Sequence, residues 1–278
     1  MAKRSRKRKK LFTKVKKPSF FRKLACVTWD RARDPQIYGY MNVDMSSCLA
    51  FMDRYKKKHG HKLSVTHVIL KAVALAYRKF PDLNVKVERN HLYRRNSIDV
   101  NLLVSSESGG ELSAIKLNNA DKMTLAEIVG QVKKGAKGVR DDRGPDFQES
   151  KNIIKKLPVW ISRIIVPVMS WLVNKRGMHF PGVGFPQDPF GTVIVTSVGM
   201  FGVETAFAPL PSIGRANAAL LITEVKKKPW VEDDNIVVRP VMKLCCTLDH
   251  RVFTGYQGAM LSSEIKDILT NPKRLLET

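Results

Sequence analysis

The chain has 278 residues, 44% of them apolar, which allows one large domain or two small ones and excludes wholesale disorder. Its 49 lysines and arginines against 25 acids leave a formal charge of +24, a balance that points to a polyanionic partner. Of the four cysteines, Cys245 and Cys246 are adjacent and Cys26 and Cys48 lie apart, so neither a disulfide framework nor a C-x-x-C spacing exists; a reducing cytoplasm and no metal are expected.

Residues 1–17 carry ten positive charges and no acid. No apolar run follows to make a secretory signal, and like charges with little apolar surface cannot pack. The segment predicts a basic, disordered arm, with the folded domain running from 18 to 278. Such an arm either attracts anionic lipid, nucleic acid or an acidic surface, or serves only as a solubilising tail. Met45, Cys48, Leu49 and Met52 recur at helical spacing between Asp44 and Gly60, which predicts a capped helix. A second helix is expected from about Thr66 to Phe80, with Val68, Ile69, Ala72, Val73 and Ala76 inside and Pro81 ending it. Two strands joined by a turn at Gly109-Gly110 are expected between Ser97 and Lys116. Thr124 and Glu127 form a capping box that opens a third helix.

From Gly138 to Phe190 the chain reads as an excursion rich in charge, glycine and proline. Within it, Leu157 to Val173 is too short and too interrupted by Arg163 to span a bilayer. Trp160, Ile164, Val168, Trp171 and Leu172 instead make an amphipathic stripe, which either lies on a membrane surface or packs on its own domain or a sister subunit. Strands resume at Gly191–Gly199, Ala218–Val225 and Ile236–Leu248, the last two separated by the turn Asp233-Asp234-Asn235. A final helix is expected from Tyr256 to Leu269. Strands mixed with amphipathic helices and no internal repeat predict one α/β domain.

Among His59, His61, His67, His91, His179 and His250, only His250 has a context that suggests chemistry. It ends an apolar strand between Asp249 and Arg251 and precedes Gly255 at a helix start, where an imidazole can be aimed and its orientation controlled, as general-base work requires.

The run Asp249-His250-Arg251-Val252-Phe253-Thr254-Gly255, with Gly258-Ala259 and Asn271-Pro272-Lys273-Arg274-Leu275 behind it, resembles the C-terminal signature of the catalytic domain of 2-oxo acid dehydrogenase acyltransferases. That family shares its fold with chloramphenicol acetyltransferase. Three further blocks agree in order: Lys62 to Ala76, Phe80-Pro81-Asp82-Leu83-Asn84, and Gly191 to Gly202. The resemblance implies a mixed β-sheet flanked by helices and a trimer with active sites at subunit boundaries. It also implies acyl transfer between coenzyme A and a thiol, typically dihydrolipoyl, or another small nucleophile. His250 would be the general base and Thr196, with Ser197 beside it, the donor to the oxyanion, while Thr254 and Gly255 complete the signature. The family usually places Asp or Asn before the glycine, where this chain has Thr254. With only the basic arm expected ahead of the catalytic region, a lipoyl group is expected to act only in trans, with acyl-CoA as the other substrate. Two other classes stay open. One is a noncatalytic trimeric scaffold of the same fold that docks to a membrane or partner through its arm; the other, nucleic-acid binding, rests on charge alone.

Overall fold

The computed structural model describes residues 12–16, 35–88, 91–105, 112–140, 188–211 and 215–277, together with Ile161 and Val168. Nine strands and four longer helices are defined among them: β1 (Phe12–Lys14), β2 (Gln36–Asp44), α1 (Ser46–His59), α2 (Val65–Lys79), β3 (Val85–Glu88), β4 (His91–Arg95), β5 (Val100–Ser105), β6 (Leu112–Leu117), α3 (Leu125–Arg140), β7 (Val193–Ser197), β8 (Ala218–Glu232), β9 (Asn235–Asp249) and α4 (Gly255–Thr270). Six strands form a mixed sheet in the order β2-β9-β8-β7-β5-β6, with β7 parallel to both β5 and β8 and the other pairs antiparallel. Along β5, β7, β8 and β9, alternate residues such as Val100, Val193, Val195, Leu220, Leu244 and Leu248 enter one large core beneath the helices. The opposite face carries a smaller cluster of Ile194, Ala216 and Ala219, packed against Leu103 and Leu210.

The four helices expected outside the 138–190 excursion are present, and caps mark most of their limits. Asp44 accepts from the amide and hydroxyl of Ser46 at 2.8 and 2.6 Å, and Gly60 closes α1 with φ of 72°. Ser64 and His67 form a reciprocal box that starts α2 one residue before the expected Thr66, and Pro81 begins a short 3-10 turn. The α2 helix is buried all round from Val68 to Tyr77 rather than along one face, because α3 and α4 pack on it as well as the sheet. Thr124 and Glu127 cap α3 as the sequence indicated.

Two findings correct the sequence reading. Phe12–Lys14 pairs antiparallel with Tyr93–Arg95 as the edge of a second, three-stranded sheet, β1-β4-β3, and Val15 packs against the core. The stretch read as a basic arm therefore includes an edge strand at residues 12–14, where Val15 supplies apolar contact and the open edge of β4 supplies backbone partners. Strand β8 also runs on to Glu232, beyond the expected Val225, and with β9 forms a ribbon that turns at Asp233 (φ 48°) and Asp234 (φ 59°), the two left-handed positions of a type I′ turn. The Gly109-Gly110 turn and nearly all of the 138–190 excursion with its amphipathic stripe lie outside the described residues. No helix among the described residues is long and apolar enough to cross a membrane.

Candidate active site

His250 follows the last residue of β9, at the end of the sheet where β2 begins. Register holds it there: Gln36 faces Asp249, the His250 amide donates to the Pro35 carbonyl at 2.9 Å, and the Asp249 amide donates to the Asn217 carbonyl at 2.9 Å. Asn217 is itself fixed. Its side-chain amide donates to the carbonyls of Leu83 and Val85 at 2.6 and 2.9 Å, while its side-chain oxygen accepts from the buried Tyr77 hydroxyl at 3.0 Å. Buried supports of this kind hold a reacting group more tightly than a loop can.

Beyond the strand the chain folds tightly, the amides of Val252 and Phe253 both donating to the Asp249 carbonyl at 2.8 and 2.9 Å. This brings Nδ1 of His250 to 2.7 Å from the Phe253 carbonyl oxygen. A carbonyl can only accept, so Nδ1 carries the proton and the lone pair of the neutral ring lies on Nε2. The sequence reading gave the aiming role to the charged neighbours. In the structure the Asp249 carboxylate instead clamps Arg251 through Nε and Nη2 at 3.0 and 2.8 Å, and the Phe253 carbonyl orients the imidazole.

Thr254 is the N-cap of α4. Its hydroxyl donates to Gln257 Oε1 at 3.0 Å and accepts from the Gln257 amide at 3.3 Å, while its own amide donates to Gln257 Oε1 at 2.8 Å. The threonine that departs from the family pattern thus has a definite task in the helix. Gly255 begins α4, and a Cβ there would meet nothing within 4 Å, so the space before the helix is open. Gln257 escaped the sequence reading, although its T-x-x-Q spacing from Thr254 is the signal that marks Thr124 and Glu127.

Thr196 and Ser197 end β7, half-buried. Thr196 pairs with Leu221 of β8, which in turn pairs with Cys245 of β9. Since β8 lies between, β7 is about 10 Å from β9 across the sheet. A single chain therefore keeps Thr196 apart from His250.

Of the other described histidines, His67 caps α2 and burial lowers its pKa, His59 stacks on Tyr55 at 4.5 Å, His91 lies in β4, and His61 is exposed in the loop before α2. His179 lies outside the described residues. Burial pushes the thiols of Cys48 and Cys246 up to about 12 and about 11, which leaves them poor nucleophiles. Among the described residues no cluster of three metal-ligating side chains occurs.

A model of the 2-oxoacid dehydrogenases acyltransferase catalytic domain matches residues 27–157 and 189–277. The dihydrolipoyllysine-residue succinyltransferase component of the 2-oxoglutarate dehydrogenase complex of Cupriavidus necator is 26% identical over 227 residues, covering 81% of this chain and 44% of that protein. The chain thus spans less than half the length of that relative. Among solved structures, a probable dihydrolipoamide acetyltransferase from Listeria monocytogenes superposes with a TM-score of 0.64 at 20% identity, covering 93% of this chain and 95% of the other. A chloramphenicol acetyltransferase does so with a TM-score of 0.55 at 12% identity, covering 93% and 99%. The mixed sheet with its flanking helices is therefore the fold of these acyltransferases, and with the family match running through both the helical half and the half that bears His250, the chain belongs to the 2-oxoacid dehydrogenase acyltransferase catalytic-domain family.

Proposed function

We propose that this protein transfers an acyl group between coenzyme A and a thiol of the dihydrolipoyl type, with His250 as general base. The observation that carries the proposal is the Nδ1 contact to the Phe253 carbonyl, which places the basic lone pair on Nε2 at the end of a rigid strand. Nε2 removes the proton from the attacking thiol, and the thiolate adds to the thioester carbonyl. The tetrahedral intermediate collapses by expelling the other thiolate, which takes the proton back from the imidazolium. Its oxyanion requires a donor, and Thr196 is the hydroxyl suited to the role, with Ser197 beside it.

The separation of Thr196 from His250 within one chain supports a site shared between subunits of a trimer, with the threonine supplied by the neighbour. The β8–β9 ribbon gives such an assembly an apolar contact surface, since Val231, Ile236 and Val238 lie on one face of it and are 69%, 77% and 69% exposed. Acyl-CoA and a dihydrolipoyl group are substrates here, and the cationic excess of the chain suits the phosphates of the former.

The test is transfer from acyl-CoA donors to dihydrolipoamide, followed by release of the coenzyme A thiol. Turnover is expected for the wild type, a loss of about 10²–10⁴-fold for His250→Ala, and a loss of about 10²–10³-fold for Thr196→Ala. Equal turnover by wild type and His250→Ala would overturn the assignment.

A further inference from the structure

We infer that Gln257 is a positioning residue for His250, acting through the peptide bond between Phe253 and Thr254; the inference rests on the acyltransferase reading only for its kinetic consequence. The two ends of that one peptide group are engaged by the two side chains. Its carbonyl oxygen accepts from Nδ1 of His250 at 2.7 Å, and its amide donates to Gln257 Oε1 at 2.8 Å.

The peptide group is planar, so its carbonyl and amide cannot turn independently. An acceptor that fixes the direction of the Thr254 amide therefore fixes the direction of the Phe253 carbonyl, and with it the plane and tautomer of the imidazole. The coupling is electronic as well, because a peptide whose amide donates has a more polarised carbonyl and makes a better acceptor. The remaining contacts hold the plane in place. Phe253 is fully buried, its amide donates to the Asp249 carbonyl, and the Thr254 hydroxyl is engaged with the same Gln257 side chain. The threonine that stands where the family usually has a carboxylate or amide thus works as half of a reciprocal helix cap, with the histidine on the far side of the same peptide.

Three proteins test this: wild type, Gln257→Met, which keeps helix-forming character and side-chain length but has no acceptor, and Gln257→Glu, which restores an acceptor oxygen. Nitrogen NMR of the His250 ring reads the tautomer directly, with no need for substrate. The wild type is expected to show a protonated Nδ1 and an unprotonated Nε2, Gln257→Met a mixture of both tautomers, and Gln257→Glu the wild-type pattern. In transfer assays Gln257→Met should lower kcat roughly ten- to a hundredfold, the scale of a misplaced catalytic group. KM for acyl-CoA should be unchanged, and Gln257→Glu should recover most of the rate. A thermal midpoint close to wild type for Gln257→Met shows that the helix has not been lost. A single wild-type tautomer in Gln257→Met would overturn the inference whatever the assays show. Absence of turnover in a wild type whose ring has the expected tautomer would instead count against the acyltransferase reading alone.

Discussion

Lys71 lies at the centre of α2 with no exposure, its ammonium donating to the carbonyls of Asp121 and Met123 at 2.8 and 2.7 Å. It ties the loop before α3 to the central helix. Burial first, and then the nearby Arg78, lower its pKa to about 8 from an ordinary 10.5. Because the folded value is the lower one, the unfolded chain holds the proton between these pH values while the native chain releases it, so this group adds stability as pH rises through that window. Cys48, Cys246 and Tyr77 act in the opposite sense, since burial raises all three and the unfolded chain ionises first. The lysine contribution must therefore be isolated by difference. The unfolding free energy of wild type minus that of Lys71→Met is expected to climb from pH 8 to 10.5 in denaturant titrations, and a flat difference would show that the ammonium is well solvated. At this scale the sequence announced His250 through its neighbours, yet it hid both Lys71 and Gln257. A lysine within an apolar helix and a glutamine in a first turn become significant only when a loop carbonyl or a particular peptide bond is placed against them.

Strands and helices were more legible than single residues wherever the apolar rhythm was long and its ends were marked. The helices α1 to α4 follow from periodicity and caps to within a residue or two of their observed limits, α3 excepted, since only its start was marked. The three-stranded sheet went unread because β3 and β4 are four and five residues long and bury charged side chains: Lys86 pairs with Glu88 at 3.0 Å, and Arg95 with Asp188 at 2.9 Å. Lys86 finds its partner two residues along the same strand, but Arg95 depends on Asp188, 93 residues away, and periodicity reports neither pairing. The entry to β7 is more demanding than its sequence suggests. Gly191 has φ of +63°, and a Cβ there would lie 2.6 Å from the Asp99 carbonyl oxygen, which also accepts from the Thr192 amide. Gly191→Ala combines a left-handed backbone with a clash against main chain, and a loss of about 2–3 kcal/mol is expected. The denaturation midpoint measures it, and an unchanged midpoint would mean that the β5–β7 connection can shift freely.

For the whole molecule, the fold was recoverable from four ordered sequence blocks, and the expectation of sites at subunit boundaries came from the resemblance alone. Thr196 and His250 come from different strands, and the spacing of neither says whether the two meet across subunits. Mixing two inactive parents tests that arrangement. If each site draws histidine from one subunit and threonine from the next, His250→Ala and Thr196→Ala chains refolded together in equal amounts should regain about a quarter of wild-type turnover, by random assortment in a closed cyclic oligomer. No recovery on mixing would mean that both groups serve from one chain after a rearrangement.

The pairing of β2 with β9 sets an order of events during synthesis. The 190 residues from 45 to 234 separate these strands, and at ~5–20 residues per second β2 waits roughly 10–40 s for its neighbour to leave the ribosome. Through that interval Ile37, Met41 and Val43 have no sheet to join, and the strand can be captured by another nascent chain. The closing contact is also the one that sets Gln36 against Asp249, so His250 reaches its place beside Pro35 only when β2 docks.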